Sequence, residues 1–178
     1  MKAPDATYVS RDGAFVLRYE RRLDHPVDRV WAALTEPDEL AGWLAAAMLE
    51  PSVGGEVMLH WLNTDDEGNE AILHGVITGW TPPELLEYAT DIHGLMRWEL
   101  RADGDGTALT FVNENDHSAD HLLLVLAGWH IHLDHLEDAL DGTPVDWSTW
   151  SPATRARGSG LSWNDHWQRY SDRGRRRG

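Results

Sequence analysis

The pattern of apolar and polar positions predicts strands first. In "AFVLRYERRL" (14–23) Phe15, Leu17 and Tyr19 share one side and Arg18 and Glu20 the other, which is the period-two pattern of a half-buried strand. The period then changes. In "DHPVDRVWAAL" Val27, Val30, Trp31 and Leu34 recur at helical spacing, with Asp24 placed as an N-cap and Pro26 near the first turn, where its missing N–H costs little. "EPDELAGWL" predicts a second short helix after Pro37. "SVGGEVMLHWL" opens on a Gly-Gly turn and continues as a strand with Val57, Leu59 and Trp61 on one face. "NTDDEGN" reads as a polar hairpin loop.

"EAILHGVITGW" is a further strand, stopped by Pro82-Pro83, and "ELLEYATDI" and "GLMRWELRA" follow as two more. "DGDG" is a tight hairpin turn into "TALTFVNEN", where Leu109, Phe111 and Asn113 share a face. From Ser118 to Gly142 the period is helical again, with Ser118 a candidate cap and Gly142 a candidate stop. "LSWNDHWQRYSDR" predicts a last short helix through Leu161, Trp163, Trp167 and Tyr170. The order of elements is that of an α+β protein with an antiparallel sheet. We expect one domain over 1–178: a core at about 14–150, an extension at 151–172 that packs back onto it, and a basic tail at 173–178.

These stretches resemble a known family. "ERRLDHPVDRVWAALTEPDELAGWL", "PSVGGEVML", "GVITGWTPPELLEY", "WELRADGDGTALTFVNEN" and "GWHIHLDHLEDALDGTPVDW" stand in the order seen in relatives of the activator of heat-shock-protein-90 ATPase, within the START-like (SRPBCC) superfamily. The resemblance covers about Phe15 to Trp150. It implies the helix-grip fold, a curved sheet wrapped around a long C-terminal helix with two short helices after the first strand. It also implies a cavity between sheet and helix that takes a small hydrophobic or aromatic molecule. It carries no catalytic motif over to numbered positions. Two other roles stay open: a co-chaperone-like interaction module, and a cyclase- or dehydratase-type enzyme using a cavity histidine.

Composition sharpens this reading. Ten tryptophans against two phenylalanines in 178 residues give more large flat faces than one core needs. Some are expected to line the cavity. The candidate lining is Trp43, Trp61, His74, Trp98, Phe111, Asn113, Trp129 and His132. Trp147, Trp150, Trp163 and Trp167 are expected to pin the extension down, with a homodimer contact as the alternative. A net charge of −15 argues against nucleic acid and against anionic membrane surfaces. The arginines of "SDRGRRRG" (173, 175, 176 and 177) read as a solvated tail or, alternatively, a partner-binding arm. With no cysteine, no signal-peptide pattern and no long apolar run, a cytoplasmic protein is expected.

"GWHIHLDHLEDAL" (128–140) poses the question of a metal. With His130 set at 0° and roughly 100° per residue, Leu122, Leu126, Trp129, Leu133, Leu136 and Leu140 fall between roughly 240° and 320°. His132 lies near the border of that stripe. His130 falls among Asp134, Glu137 and Asp141, and His135 beside Gly128. The three histidines diverge, and the helix offers no third ligand on one side. No metal and no cofactor is expected. His130 and His135 read as solvated, and His132 as either a satisfied structural histidine or a residue of the cavity rim.

Overall fold

Alternation becomes one antiparallel sheet. The computed structural model describes residues 4–63 and 69–175. Eight strands run β1 (Thr7–Arg11), β2 (Ala14–Leu23), β3 (Ala45–Leu49), β4 (Glu56–Trp61), β5 (Ile72–Thr81), β6 (Leu85–Thr90), β7 (Gly94–Asp103) and β8 (Gly106–Asn115), in the spatial order β1-β2-β8-β7-β6-β5-β4-β3. Helices α1 (Val27–Thr35) and α2 (Pro37–Leu40) fill the connection from β2 to β3. The long helix α3 (Leu122–Leu140) follows a 3-10 turn at Ala119–His121, and α4 (Trp163–Arg175) closes the chain. This is the helix-grip α+β fold.

Two strands leave no mark in the hydrophobic pattern. All five residues of β1 are exposed, so no alternation betrays it. Its hairpin does: Asp12 and Gly13 both take positive φ, 52° and 85°, which is what a two-residue turn between right-twisted strands requires. β3 is "AAAML", small residues without the β-branched or aromatic side chains that mark strands, and it is held by pairing Ala45–Leu49 against Val57–Trp61. The cap of α1 also differs from expectation. Its N-cap is Pro26, and Asp24 pairs with Arg22 instead.

α3 lies in the concavity of the sheet. Leu126, Trp129, Leu133 and Leu136 are buried against it, and the Tyr19 hydroxyl donates to the Leu126 carbonyl at 2.9 Å. Gly142, at φ 81°, ends the helical stretch. The face expected to be wet is not. His130 and His135 are 0 % and 2 % exposed, because α4 and the segment leading to it cover them. His130 stacks on His166, and its Nδ1 meets the Tyr170 hydroxyl at 2.7 Å. His135 Nε2 accepts the Trp150 indole N–H at 3.1 Å. Asp138 accepts the backbone N–H groups of Arg157 and Gly158 at 2.6 and 2.7 Å, which ties down the approach to α4. Periodicity cannot foresee this, since the polar face of α3 is matched by polar groups rather than by leucines.

The last helix runs into the start of the basic end. α4 continues through Arg175, and Arg169 and Arg173 both reach the Asp5 carboxylate. Arg176 and Arg177 lie outside the described residues, as do positions 64–68 of the predicted polar loop. No helix among the described residues is long and apolar enough to cross a membrane.

Gly128 sits inside α3, where a Cβ would meet only the Trp163 indole nitrogen, at 4.0 Å. That is ordinary van der Waals contact. Gly128→Ala is therefore expected to stabilise the fold by about 0.5–1 kcal/mol, because alanine loses less backbone freedom on entering a helix. Urea denaturation of the two proteins checks it.

Candidate functional site

Between the N-terminal half of α3 and the β3–β5 side of the sheet lies a cavity of about 400 Å³. That volume is in the range used for small organic ligands. β4 delivers Trp61 at its end, α3 delivers Trp129 and His132, and the β6–β7 turn delivers His93. Asn63, Glu70 and Ala71 lie towards the mouth, with Leu124, Val125 and Gly128 on the helix side.

The four rings form an angular wall. Trp61 lies 5.0 Å from His132 with the planes 39° apart, and 6.0 Å from Trp129 at 65°. His93 stands edge-on to Trp61 at 5.6 Å and to Trp129 at 5.9 Å. Edge-to-face contacts fix each ring while leaving indole surface towards the void.

The cavity's polar character follows from the tautomers. His132 Nδ1 lies 2.9 Å from the Trp43 carbonyl oxygen. A carbonyl can only accept, so Nδ1 carries the proton and the neutral ring keeps its lone pair on Nε2. Burial pushes the His132 pKa down to about 4, against an opposing pull from the Trp43 carbonyl. His93 is also pushed down to about 4, by burial first and then by His117 and His132. Both rings are therefore neutral near pH 7, and the wall carries no formal charge. Glu70, near the mouth, bonds His60 at 2.6 Å on the neighbouring strand. Such a wall is apolar over its indole faces, and His132 Nε2 is the hydrogen-bond acceptor on it.

The structure brings together Trp61, Trp129 and His132 of the candidate residues. Trp43, Trp98, Phe111 and Asn113 form the layer behind. Trp98 stacks on Phe111 at 3.9 Å, Phe111 meets Trp129 at 4.7 Å, and Trp43 lies edge-on to Trp98 at 5.7 Å. Asn113 spends all its hydrogen bonds inside the fold. Its amide donates to the carbonyls of His93 and Leu95, and its oxygen accepts from Asn115 and, at 3.3 Å, from the Trp129 indole. It positions the wall instead of offering a group to a ligand.

His74 is a correction. Leu73 and Ile77 take the inner face of β5, and period two then turns His74 to solvent. Sequence reasoning missed His93. It sits in a turn before Gly94, whose positive φ of 64° lets the chain reverse; a histidine next to a turn glycine was the available signal.

Comparison with known proteins agrees with this architecture. Residues 24–141 match the model of the family described as Activator of Hsp90 ATPase homolog 1-like protein. No curated protein matches the chain. Among solved structures, CalU16 from Micromonospora echinospora is similar at 26% identity and TM-score 0.60, over 76% of this chain and 83% of that one. EF2215 from Enterococcus faecalis, a conserved protein of unknown function, aligns at 17% identity and TM-score 0.69 over 96% and 91%. The AHSA1-like protein from Aeromonas hydrophila aligns at 20% identity and TM-score 0.61 over 71% and 92%. The matched span exceeds half of the chain and contains the first helix pair, the sheet from β3 to β8 and the gripping helix; the chain belongs to the Activator of Hsp90 ATPase homolog 1-like family.

Proposed function

We propose that the protein binds a small, planar, hydrophobic or aromatic molecule in the cavity under α3. The observation that supports this reading is the wall itself: two indoles, Trp61 and Trp129, border about 400 Å³ of space, and His132 Nε2 is the acceptor beside them. An apolar ring gains by leaving water for such a pocket. A hydroxyl or N–H on its edge finds the His132 lone pair. The excess of acid over base suits a small-molecule partner and not a phosphate backbone.

Titration of the purified protein with a panel of phenols, indoles and naphthols, read by tryptophan fluorescence and native mass spectrometry, tests the reading. Saturable quenching with one retained molecule per chain is expected. Ala71→Phe places a ring at the mouth from an exposed position, so it should weaken binding by about tenfold or more, roughly 1.4 kcal/mol, without changing the melting temperature. If no compound is retained and none alters the fluorescence, the cavity is not a binding site.

A further inference from the structure

We propose that His130 and Asp134 of α3, with His166 of α4, bind one divalent transition-metal ion, zinc or a congener, that fastens α4 to the gripping helix. This is independent of the cavity. It also returns to the histidines of "HIHLDH", which on α3 alone lack a third ligand. His130 and Asp134 are one helical turn apart on the same face. α4 lays His166 over them.

One ring nitrogen from each histidine and one Asp134 oxygen all lie within 4.8 Å of one another, and all three residues are buried. His166 Nε2 and Asp134 Oδ2 are already 2.9 Å apart. Around a four-coordinate zinc, ligand atoms at about 2.0–2.1 Å from the ion are about 3.3 Å from each other. The widest spacing thus has to close by up to about 1.5 Å, the His166–Asp134 pair to open by about 0.4 Å, and the His130–His166 stack, whose centroids are 3.9 Å apart, to open with it.

The second observation is at the His130 ring. His130 is 0 % exposed, yet its Nε2, the nitrogen left over once Nδ1 meets the Tyr170 hydroxyl, has no hydrogen-bond partner. A buried polar atom without a partner is uncommon and calls for one. Two imidazoles and a carboxylate are the donor set that suits zinc and its neighbours.

The surroundings favour a cation. This end of α3 carries Asp134, Glu137, Asp138 and Asp141. Facing them from β2 is Arg21, whose Nε lies 3.2 Å from Glu137 and whose Nη2 lies 3.7 Å from Asp134. His25 takes Asp141 at 2.8 Å, and Asp138 is held by backbone amides. Four acidic side chains against Arg21 and, near His130, Arg169 leave this region richer in acid than in base. Each imidazole keeps its single proton on the nitrogen turned from the ion. At His130 that is Nδ1, which faces the Tyr170 hydroxyl oxygen at 2.7 Å, the outer-shell contact that orients a ligating histidine. Ala6 N–H also donates to that hydroxyl, so the ion would tie the N-terminal segment, α3 and α4 together. His166 lies beyond the 24–141 span matched by the family model, so the site would be a feature of this chain's extension.

The full chain is freed of metal with a chelator and titrated with zinc by calorimetry, then with cobalt(II) while its visible absorption is followed. One equivalent of zinc, a cobalt spectrum with the intense visible bands of low coordination number, and a raised melting temperature are expected. His166→Gln, checked for folding by near-ultraviolet circular dichroism, should abolish all three; His74→Gln should change none. No bound metal, or undiminished binding in folded His166→Gln, overturns the proposal. Should His166→Gln not fold, zinc-edge X-ray absorption of the wild-type complex decides. Two imidazole ligands support the site, and one or none overturns it.

Discussion

Trp129→Ala is expected to remove about 3–5 kcal/mol of folding stability, the cost of deleting a buried tryptophan and leaving its space incompletely filled. Trp129 is 3 % exposed and touches Phe111, Trp98, Trp61 and His93, so it joins the packed layer behind the cavity to the wall in front. Its loss would merge the cavity with the space the indole fills. Trp129→Phe is a milder truncation at the same position. The six-membered ring is kept, while the fused pyrrole ring goes together with the 3.3 Å bond to Asn113. Asn113 Oδ1 still accepts from Asn115 at 2.7 Å, so no acceptor is orphaned, and with fewer buried atoms removed the cost should stay at about 1–2 kcal/mol. Urea unfolding of both variants checks the ranking. Added indole should restore part of the alanine variant's stability, since a ligand bound only to the native state stabilises it by mass action. Equal costs for the two variants would mean that the wall is not packed as described.

The same residues show what a one-dimensional pattern reveals. Leu126, Trp129, Leu133 and Leu136 announce the gripping face because the sheet they meet is apolar, and a helix signals an apolar partner by its own stripe. The inward placement of Trp61 and the border placement of His132 follow for a related reason: one ends an inward-facing strand alternation, and the other borders the stripe. Burial created by polar partners leaves no such trace. His130 and Asp134 have the wheel positions of a solvated face, and only the arrival of His166 and Tyr170, more than thirty residues later in sequence, makes that face interior. His74 failed for a different reason. Alternation says which residues share a face, but Ile72 and Val76 made the outer face of β5 look as apolar as the inner one, and the register shift between Ile77 and Gly79, which sets Trp80 opposite the buried Leu86, breaks the period that joined Trp80 to His74. β1 and β3 escaped because one has no buried face and the other is mostly alanine. His93 escaped because a turn has no period.

Acidification from pH 7 to pH 5 is expected to destabilise the metal-free protein by about 4 kcal/mol through His93 and His132 together, roughly 2 kcal/mol each. An unfolded histidine takes up a proton near its ordinary value of 6.5, whereas both folded rings resist until about pH 4. Between those limits the unfolded chain binds more protons, so stability falls as pH falls. His135, also pushed down to about 4 by burial, acts in the same direction. Glu137 opposes them. Burial raises its carboxyl to about 7, so it favours the folded state at low pH and loses that contribution as pH rises to 7. Its side chain remains 35% exposed, and solvent screening leaves it a smaller effect than the enclosed rings. The net slope is set by the histidines and is checked by urea midpoints measured at half-unit intervals of pH. A midpoint that stays constant from pH 7 to 5 would refute it. Ligand affinity should follow a different curve. The His132 lone pair is lost only near pH 4, so a bound phenol keeps its hydrogen bond down to about pH 5 while the fold beneath it weakens. If affinity and stability instead fall together from pH 6.5, His132 is titrating as an exposed histidine and the Trp43 carbonyl does not fix its tautomer.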